Sequence, residues 1–287
     1  MRYITQDLRK LEGKLVLVPF GDIHHDTASC DQRKWEEDLT ELGGWEGNGD
    51  TIAFIGCGDY VDFASPSERV AIRGGKSGYG LHETTYETLD RNAQRALDSF
   101  AASIKGKIKN PLLLTLLSGH HYFEFQSQIL GEEWYARTGD EYLCSLFPGA
   151  LYGGKLARIK LLFPHGLTLD IVASHGYGSA RTDGARTLKR TRMPEAASGA
   201  NIYLMGHDNT RMVIDKEPIY TDGAGRPFSF KQYFVGIGSY QRAYLEHPHH
   251  SYVEGLLLAP SGLGFIPFII QPGKRRGKWH LDYRALI

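Results

Sequence analysis

The sequence predicts an α/β fold in which two β-sheets pack face to face with helices outside. Three observations support this. Leu15 to Phe20, Thr51 to Cys57 and Pro111 to Leu117 are short unbroken apolar runs, the pattern of strands buried on both faces. Helical stretches separate them, so strand and helix alternate through the front half. The back half reads mostly as strands.

Taken in order, Met1 to Lys14 is polar and charged, and Leu15 to Phe20 is the first buried strand, ending in Gly21-Asp22. Trp35 to Leu42 predicts a short helix ended by Gly43-Gly44. Thr51 to Cys57 is the second strand, again followed by Gly-Asp. Ala64 to Gly80 is rich in Ser, Gly and Pro and reads as a loop. Glu83 to Lys105 carries the strongest helical signal, because Tyr86, Leu89, Ala93, Leu97, Phe100 and Ile104 recur at three- and four-residue spacing on one face. Pro111 to Leu117 is the third strand and ends in Ser-Gly-His-His. Glu132 to Leu146 reads as a helix stopping before Pro148.

Lys155 to Phe163 and Leu167 to Ser174 predict a hairpin pair. Ile202 to Met205 is short and apolar, and Arg211 to Asp215 follows a tight polar turn. Gln232 to Ser239, Tyr252 to Ala259, Leu263 to Ile270 and Trp279 to Tyr283 complete the β-rich tail. No repeat, low-complexity tract or convincing linker divides the chain, so one domain is expected over 1–287.

The 287 residues carry 33 basic and 33 acidic side chains, so no global charge draws the protein to nucleic acid or to a membrane surface. Three widely spaced cysteines, Cys30, Cys57 and Cys144, argue against a disulfide framework and for a reducing, cytoplasmic setting. There is no C-x-x-C pair for a thiolate zinc site, no signal-peptide pattern, and no apolar run near the ~20 residues of a membrane span.

The chemistry sits where the apolar runs end. Asp22-Ile23-His24, Gly58-Asp59-Tyr60-Val61-Asp62, Gly119-His120-His121 and Gly206-His207-Asp208-Asn209 each follow a predicted strand, and His175 follows another. A rigid buried strand, a glycine that permits a sharp turn and then an acid place the acid at the carboxyl edge of a sheet, where α/β folds build their pockets. Carboxylates mixed with imidazoles suit Mn²⁺, Zn²⁺ or Fe. Asp59 is the natural bridge between two cations. Asp22 and His24, two residues apart on extended backbone, would face the same way and chelate one metal, and His207 and Asn209 share that spacing. Singly, each motif is more often a cap, a turn or a packed histidine; five together favour a metal site.

In order and spacing these runs resemble the five motifs of the calcineurin-like metallophosphoesterases: D-x-H, G-D-x-x-D, G-N-H-[DE], a lone H, and G-H-x-H. The resemblance spans roughly Leu15 to Asn209 and implies a four-layer α/β/β/α sandwich of two mixed β-sheets flanked by helices. It implies Asp22 and His24 as ligands of a first metal, Asp59 as the bridge, and His175 and His207 as ligands of a second. His121 matches the histidine that assists the leaving oxygen, and Asp62 the acid that orients it. The implied activity is hydrolysis of a phosphomonoester or phosphodiester by a hydroxide bridging two divalent ions, with Mn foremost and Zn, Fe or Mg as options.

Two positions depart from the pattern. His120 stands where the family has Asn, with Tyr122 where an acid follows; His120 is expected on the second metal, or simply packed beside it. Asn209 replaces the last histidine and either offers its amide oxygen to the first metal or serves as a turn residue, with Asp208 a rival ligand next door. Arg181, Arg186, Lys189, Arg190 and Arg192 follow His175; they read as phosphate or nucleic-acid contacts, with Arg181 and Arg186 foremost, or as a solvated helix face. They tilt the expected substrate towards a nucleotide or nucleic acid. His25 and Asp26 read as supporting or exposed residues, and His247-Pro248-His249-His250 as a solvated loop. The rival expectations are a non-catalytic scaffold with a degenerate site and a mononuclear enzyme. Neither membrane attachment nor a particular oligomeric state is indicated.

Overall fold

Two mixed six-stranded sheets lie face to face between two layers of helix in the computed structural model, which describes all residues except 12, 64, 73, 75–79, 179, 181, 246–253 and 255–261. The front half contains β1 (Arg2–Asp7), β2 (Leu15–Phe20), α1 (Gln32–Gly47), β3 (Thr51–Gly56), α2 (Pro66–Ile72), α3 (Glu83–Lys105), β4 (Leu112–Leu117) and α4 (Gly139–Ser145). After these come β5 (Leu151–Gly154), β6 (Leu156–Leu162), β7 (Thr168–Ser174), α5 (Asp183–Thr191), α6 (Met193–Ala196) and β8 (Ile202–Met205). The chain continues with β9 (Arg211–Lys216), β10 (Ile219–Thr221), β11 (Pro227–Ser229), β12 (Gln232–Ile237), β13 (Phe268–Arg275) and β14 (Lys278–Ala285).

One sheet has the order β14-β13-β2-β3-β4-β5 and the other β1-β6-β7-β8-β12-β9, while β10 and β11 form a separate hairpin. In the first, β2, β3, β4 and β5 run parallel and β13 antiparallel to β2. In the second, β7, β8 and β12 run parallel, β9 is antiparallel to β12, and β6 is antiparallel to β7 but parallel to β1.

Side-chain alternation explains the layering. Leu15, Leu17, Ala53 and Ile55 join Ile159, Ile171, Leu204 and Val235 in the core between the sheets. Val16, Val18, Phe20 and Phe54 point the other way, onto Trp35 and Leu39 of α1 and Leu97 and Phe100 of α3. Beyond the second sheet Val172, Tyr203 and Phe234 pack with Met193. Because β2, β3 and β4 are covered on both faces, their sequences are apolar apart from Thr51 and Thr115, the latter buried with its hydroxyl donating to the Leu151 carbonyl, which is why they are readable.

Several expectations need correction. The first helix runs Gln32–Gly47, straight through Gly43 and Gly44. Asp31 starts it, accepting from the Lys34 amide, and Trp35, Leu39 and Leu42 hold it to the core, so packing outweighs two poor helix formers. The stretch read as a loop contains α2, Pro66–Ile72. The helix expected at Glu132 to Leu146 is one 3₁₀ turn at Glu132–Trp134 and then α4, which opens with a Thr138–Glu141 capping box. In the tail, regular strand begins at Phe268, not Leu263, and the polar N-terminus supplies β1, paired with β6. The expected strand Tyr252 to Ala259 falls almost wholly outside the described residues. The predicted 83–105 helix and the Ile202–Met205 strand have the expected limits, and β6 and β7 pair antiparallel.

Candidate metal centre

Five loops meet at the carboxyl ends of β2, β3, β4, β7 and β8. Their backbones are held in conformations that sequence spacing does not reveal. Asp22, His24, Asp59, His207 and Asn209 all have φ between 48° and 75°, five of the eight non-glycine residues with positive φ among the described residues. The pairs expected to align on extended backbone therefore converge through left-handed turns instead. Such residues cost about 1 kcal/mol or more each and persist where surrounding structure insists on them. Here the insistence is a hydrogen-bond lattice: the amides of Ile23 and His24 both donate to the Asp59 carbonyl, at 2.9 and 3.1 Å, and Asp22 donates to Gly58 at 3.0 Å.

The carboxylates are clamped in the same way. Asp59 Oδ1 accepts the amides of His120 (2.6 Å) and His121 (2.9 Å), and Asp22 Oδ2 accepts that of His207 (2.7 Å). Gly119 permits the first clamp, because a Cβ there would lie 1.9 Å from Asp59 Oδ1.

Two donor groups result, and they share Asp59. Asp59, His120, His175 and His207 offer ligand atoms within 4.8 Å of one another, as do Asp22, His24 and Asp59. His175 Nε2 lies 3.1 Å from Asp59 Oδ2, while its Nδ1 faces the Cys57 carbonyl at 2.8 Å. His207 Nε2 faces the Gly178 carbonyl at 2.7 Å, leaving Nδ1 turned to His120 Nδ1 at 3.0 Å. An imidazole pinned by a backbone carbonyl on one nitrogen, with the other aimed into a polar cluster, is set up as a metal ligand. Buried His175 Nε2 and His24 Nδ1 make no well-aligned hydrogen bond among the described residues, although each lies near a carboxylate, Asp59 and Asp62 respectively. These residues fit a cation: carboxylates and imidazole nitrogens lie within 4.8 Å of one another, and two of the buried nitrogens lack a well-aligned hydrogen bond.

The electrostatics follow. Burial pushes Asp22 up to about 7 against the pull of His175. Burial also opposes ionisation of Asp59, but His175 and His24 together hold it well below the usual carboxylate range. His175 is disfavoured as a cation by burial, yet Asp59 and Asp22 raise it to about 9. Burial and the neighbouring His175 and His207 lower His120 to about 4.

His24, Asp62 and His121 form a third group. His121 Nδ1 contacts Asp62 Oδ1 closely, and His24 Nδ1 lies 3.5 Å from Asp62 Oδ2. Asp26 Oδ1 accepts the Asp62 amide at 2.6 Å, which gives this residue a bracing task. Sequence reasoning missed Arg69 of α2. Its Nη1 donates to the carbonyls of His120 and Tyr122, both at 2.8 Å, and its guanidinium covers the Tyr122 ring at 3.8 Å. No signal marked it in a stretch read as loop.

Asn209 Nδ2 donates to Gln241 at 3.3 Å. Asp208, which belongs to neither donor group, forms an ion pair with fully buried Arg190. Of the basic run, Arg186 donates to Ala180 O at 3.2 Å and Asp183 at 3.3 Å, and Arg192 pairs with Glu195 at 2.9 Å. Arg181 and the His247–His250 tract lie outside the described residues. Cys30, Cys57 and Cys144 are buried free thiols, and no described helix is long and apolar enough to cross a membrane.

No family model and no curated protein matches the chain. Among solved structures it is similar to Vacuolar Protein Sorting 29 from Cryptosporidium parvum, at 11% identity and a TM-score of 0.35 over 96% of this chain and 99% of that one. It is also similar to a single mutant of Vps29 from Entamoeba histolytica, at 10% identity and a TM-score of 0.33 over 96% of this chain and 100% of that one. Superposition at that level leaves the chemistry of the site to be argued from its own atoms.

Proposed function

We propose that the chain is a metal-dependent phosphoesterase of the calcineurin-like kind. The observation that carries this reading is the pair of donor groups joined through Asp59, with a histidine–carboxylate pair alongside. Asp22, His24 and Asp59 would hold one divalent ion, with Asn209 as a further oxygen donor; Asp59, His120, His175 and His207 would hold the other. When bound, such a pair supplies Lewis-acid charge to a phosphoryl group and acidifies water, and Mn²⁺ suits the mixed donors.

The chain's own residues account for the rest. Asp59, anchored by two backbone amides, keeps a fixed anion at the centre. His121 is held by Asp62 through Nδ1 and its side chain is partly exposed, which leaves Nε2 to hold or deliver a proton. Burial disfavours the His121 imidazolium, but Asp62 raises it above the ordinary histidine value, which suits a proton donor near neutral pH.

The test is metal content together with hydrolysis of p-nitrophenyl phosphate and bis(p-nitrophenyl) phosphate across Mn²⁺, Zn²⁺, Mg²⁺ and Fe²⁺. Two metals per chain and turnover of either ester are expected. Bound metal without turnover on either ester or on nucleic acid would favour a non-catalytic scaffold, and one metal per chain a mononuclear enzyme.

A further inference from the structure

The β13–β14 ribbon concentrates charge that the balanced composition hides. In Lys274-Arg275-Arg276-Gly277-Lys278 four cations fall within five residues, all of them exposed. None of the four joins an ion pair among the described residues, and the one acid in this stretch, Asp282, lies 3.2 Å from His280 Nε2. β13 pairs with β2 only at Phe268, Ile269 and Ile270, whereas its pairing with β14 runs on to Arg275 opposite Lys278. A two-stranded ribbon about 17 Å long therefore projects past the amino end of β2, away from the donor cluster at the carboxyl end.

The apex is held in place. Arg276 (φ 50°) and Gly277 (φ 79°) are the two left-handed residues of a tight hairpin turn. Asparagine or glycine is favoured at the first of these positions, and an arginine there is strained. Arg276 makes no side-chain hydrogen bond among the described residues, so nothing in the fold offsets that strain. Next to the apex, His165 in the turn between β6 and β7 stacks on Trp279, with ring centroids 3.6 Å apart and planes 9° from parallel, and braces the ribbon against the second sheet. Residues paired across two strands share a face, so Lys274 and Trp279 lie on one face and Arg275 and Lys278 on the other.

We propose that this ribbon binds double-stranded DNA, lying in the major groove with its cations on the phosphates of both walls. That groove admits a two-stranded β-ribbon. Cations on both faces match phosphates on either side, whereas a membrane or a flat acidic protein surface would meet one face alone. The apex leads with charge instead of apolar side chains, so it is not built to enter lipid. A ribbon already braced binds with little ordering cost. Contacts of this kind go to phosphates and carry no sequence preference. The site stands apart from the phosphoesterase reading, at the opposite end of the sheet.

The test is fluorescence anisotropy of a short labelled DNA duplex with the purified full chain, in EDTA so that hydrolysis plays no part. Four phosphate contacts predict a slope of about −3.6 for log affinity against log salt, or roughly 150-fold weaker binding from about 50 to 200 mM salt. Arg275→Gln with Lys278→Gln should bring the slope to about −1.8. Arg276→Asn should bring it to about −2.7 while raising the thermal midpoint, because asparagine suits the turn. Arg91→Gln with Arg95→Gln, the same charge change at exposed positions of α3, should leave the slope as it is. No binding at the lower salt, a slope indifferent to the ribbon substitutions, or an equal loss in the α3 variant would overturn the assignment. So would binding of polyglutamate, of phosphatidylserine vesicles or of the separated DNA strands as tight as that of the duplex.

Discussion

At the scale of single residues, the site works by committing one atom of each side chain so that another is left over. Cys57 O occupies His175 Nδ1, Gly178 O occupies His207 Nε2, and Asp62 occupies His121 Nδ1. Replacing His121 by Ala removes the proposed proton donor but no member of either Asp59-containing group. Metal content should stay at the wild-type level while kcat falls about 10²-fold or more; an unchanged rate would take His121 out of the mechanism. Asp59→Asn is the opposite case. Asp59 belongs to both groups, so the substitution should lower metal content at both positions together, read by elemental analysis after dialysis.

Among elements, the turns and the braces behind them determine where those atoms stand. Gly119 lies against Asp59, and a methyl group 1.9 Å from a carboxylate oxygen cannot be accommodated without moving one of the two loops. Gly119→Ala should therefore weaken metal binding even though no ligand is changed, which a chelator competition would show. Behind the His207 turn, α5 supplies Arg190, whose side chain is fully buried against Asp208. Truncating one partner of a buried pair strands the other, so Arg190→Met should destabilise the fold by about 3–5 kcal/mol in urea unfolding. Adding Asp208→Asn should recover part of that loss, since the stranded charge is then gone.

For the molecule as a whole, the same burial that builds the centre makes stability depend on pH. Asp140, in the first turn of α4, is raised to about 7, first by burial and also by Asp59, against the counter-pull of Ser118, His175 and Arg69. An acid raised in the folded state binds its proton more tightly folded than unfolded. Its contribution is complete below the unfolded value of 3.8 and is lost as pH climbs through about 7. Asp140→Asn should then be more stable than wild type at pH 8, by about 4 kcal/mol, with the difference vanishing by pH 4. A constant difference in thermal midpoint across that range would remove Asp140 as its source.

The sequence by itself determined the strands that carry the site and the residues that end them. β2, β3 and β4 are apolar on both faces because both faces are covered, and a Gly-Asp or Gly-His step after such a run is local information. α2 was hidden because its stretch is dominated by Ser, Gly and Pro, and the extension of α1 through Gly43 and Gly44 depends on Trp35 and Leu39 meeting a distant sheet. Only the tertiary structure decided how the motifs converge. Left-handed backbone at Asp22, His24, Asp59, His207 and Asn209 bends them onto a common centre, and those turns are stabilised by amides from other loops. It also decided that Asp208 pairs with Arg190 and that Asp26 and Arg69 brace the loops of the candidate metal centre. Orientation of this kind is set by partners 18 to more than 100 positions away, such as Arg190 for Asp208 and Cys57 for His175, which no local pattern encodes.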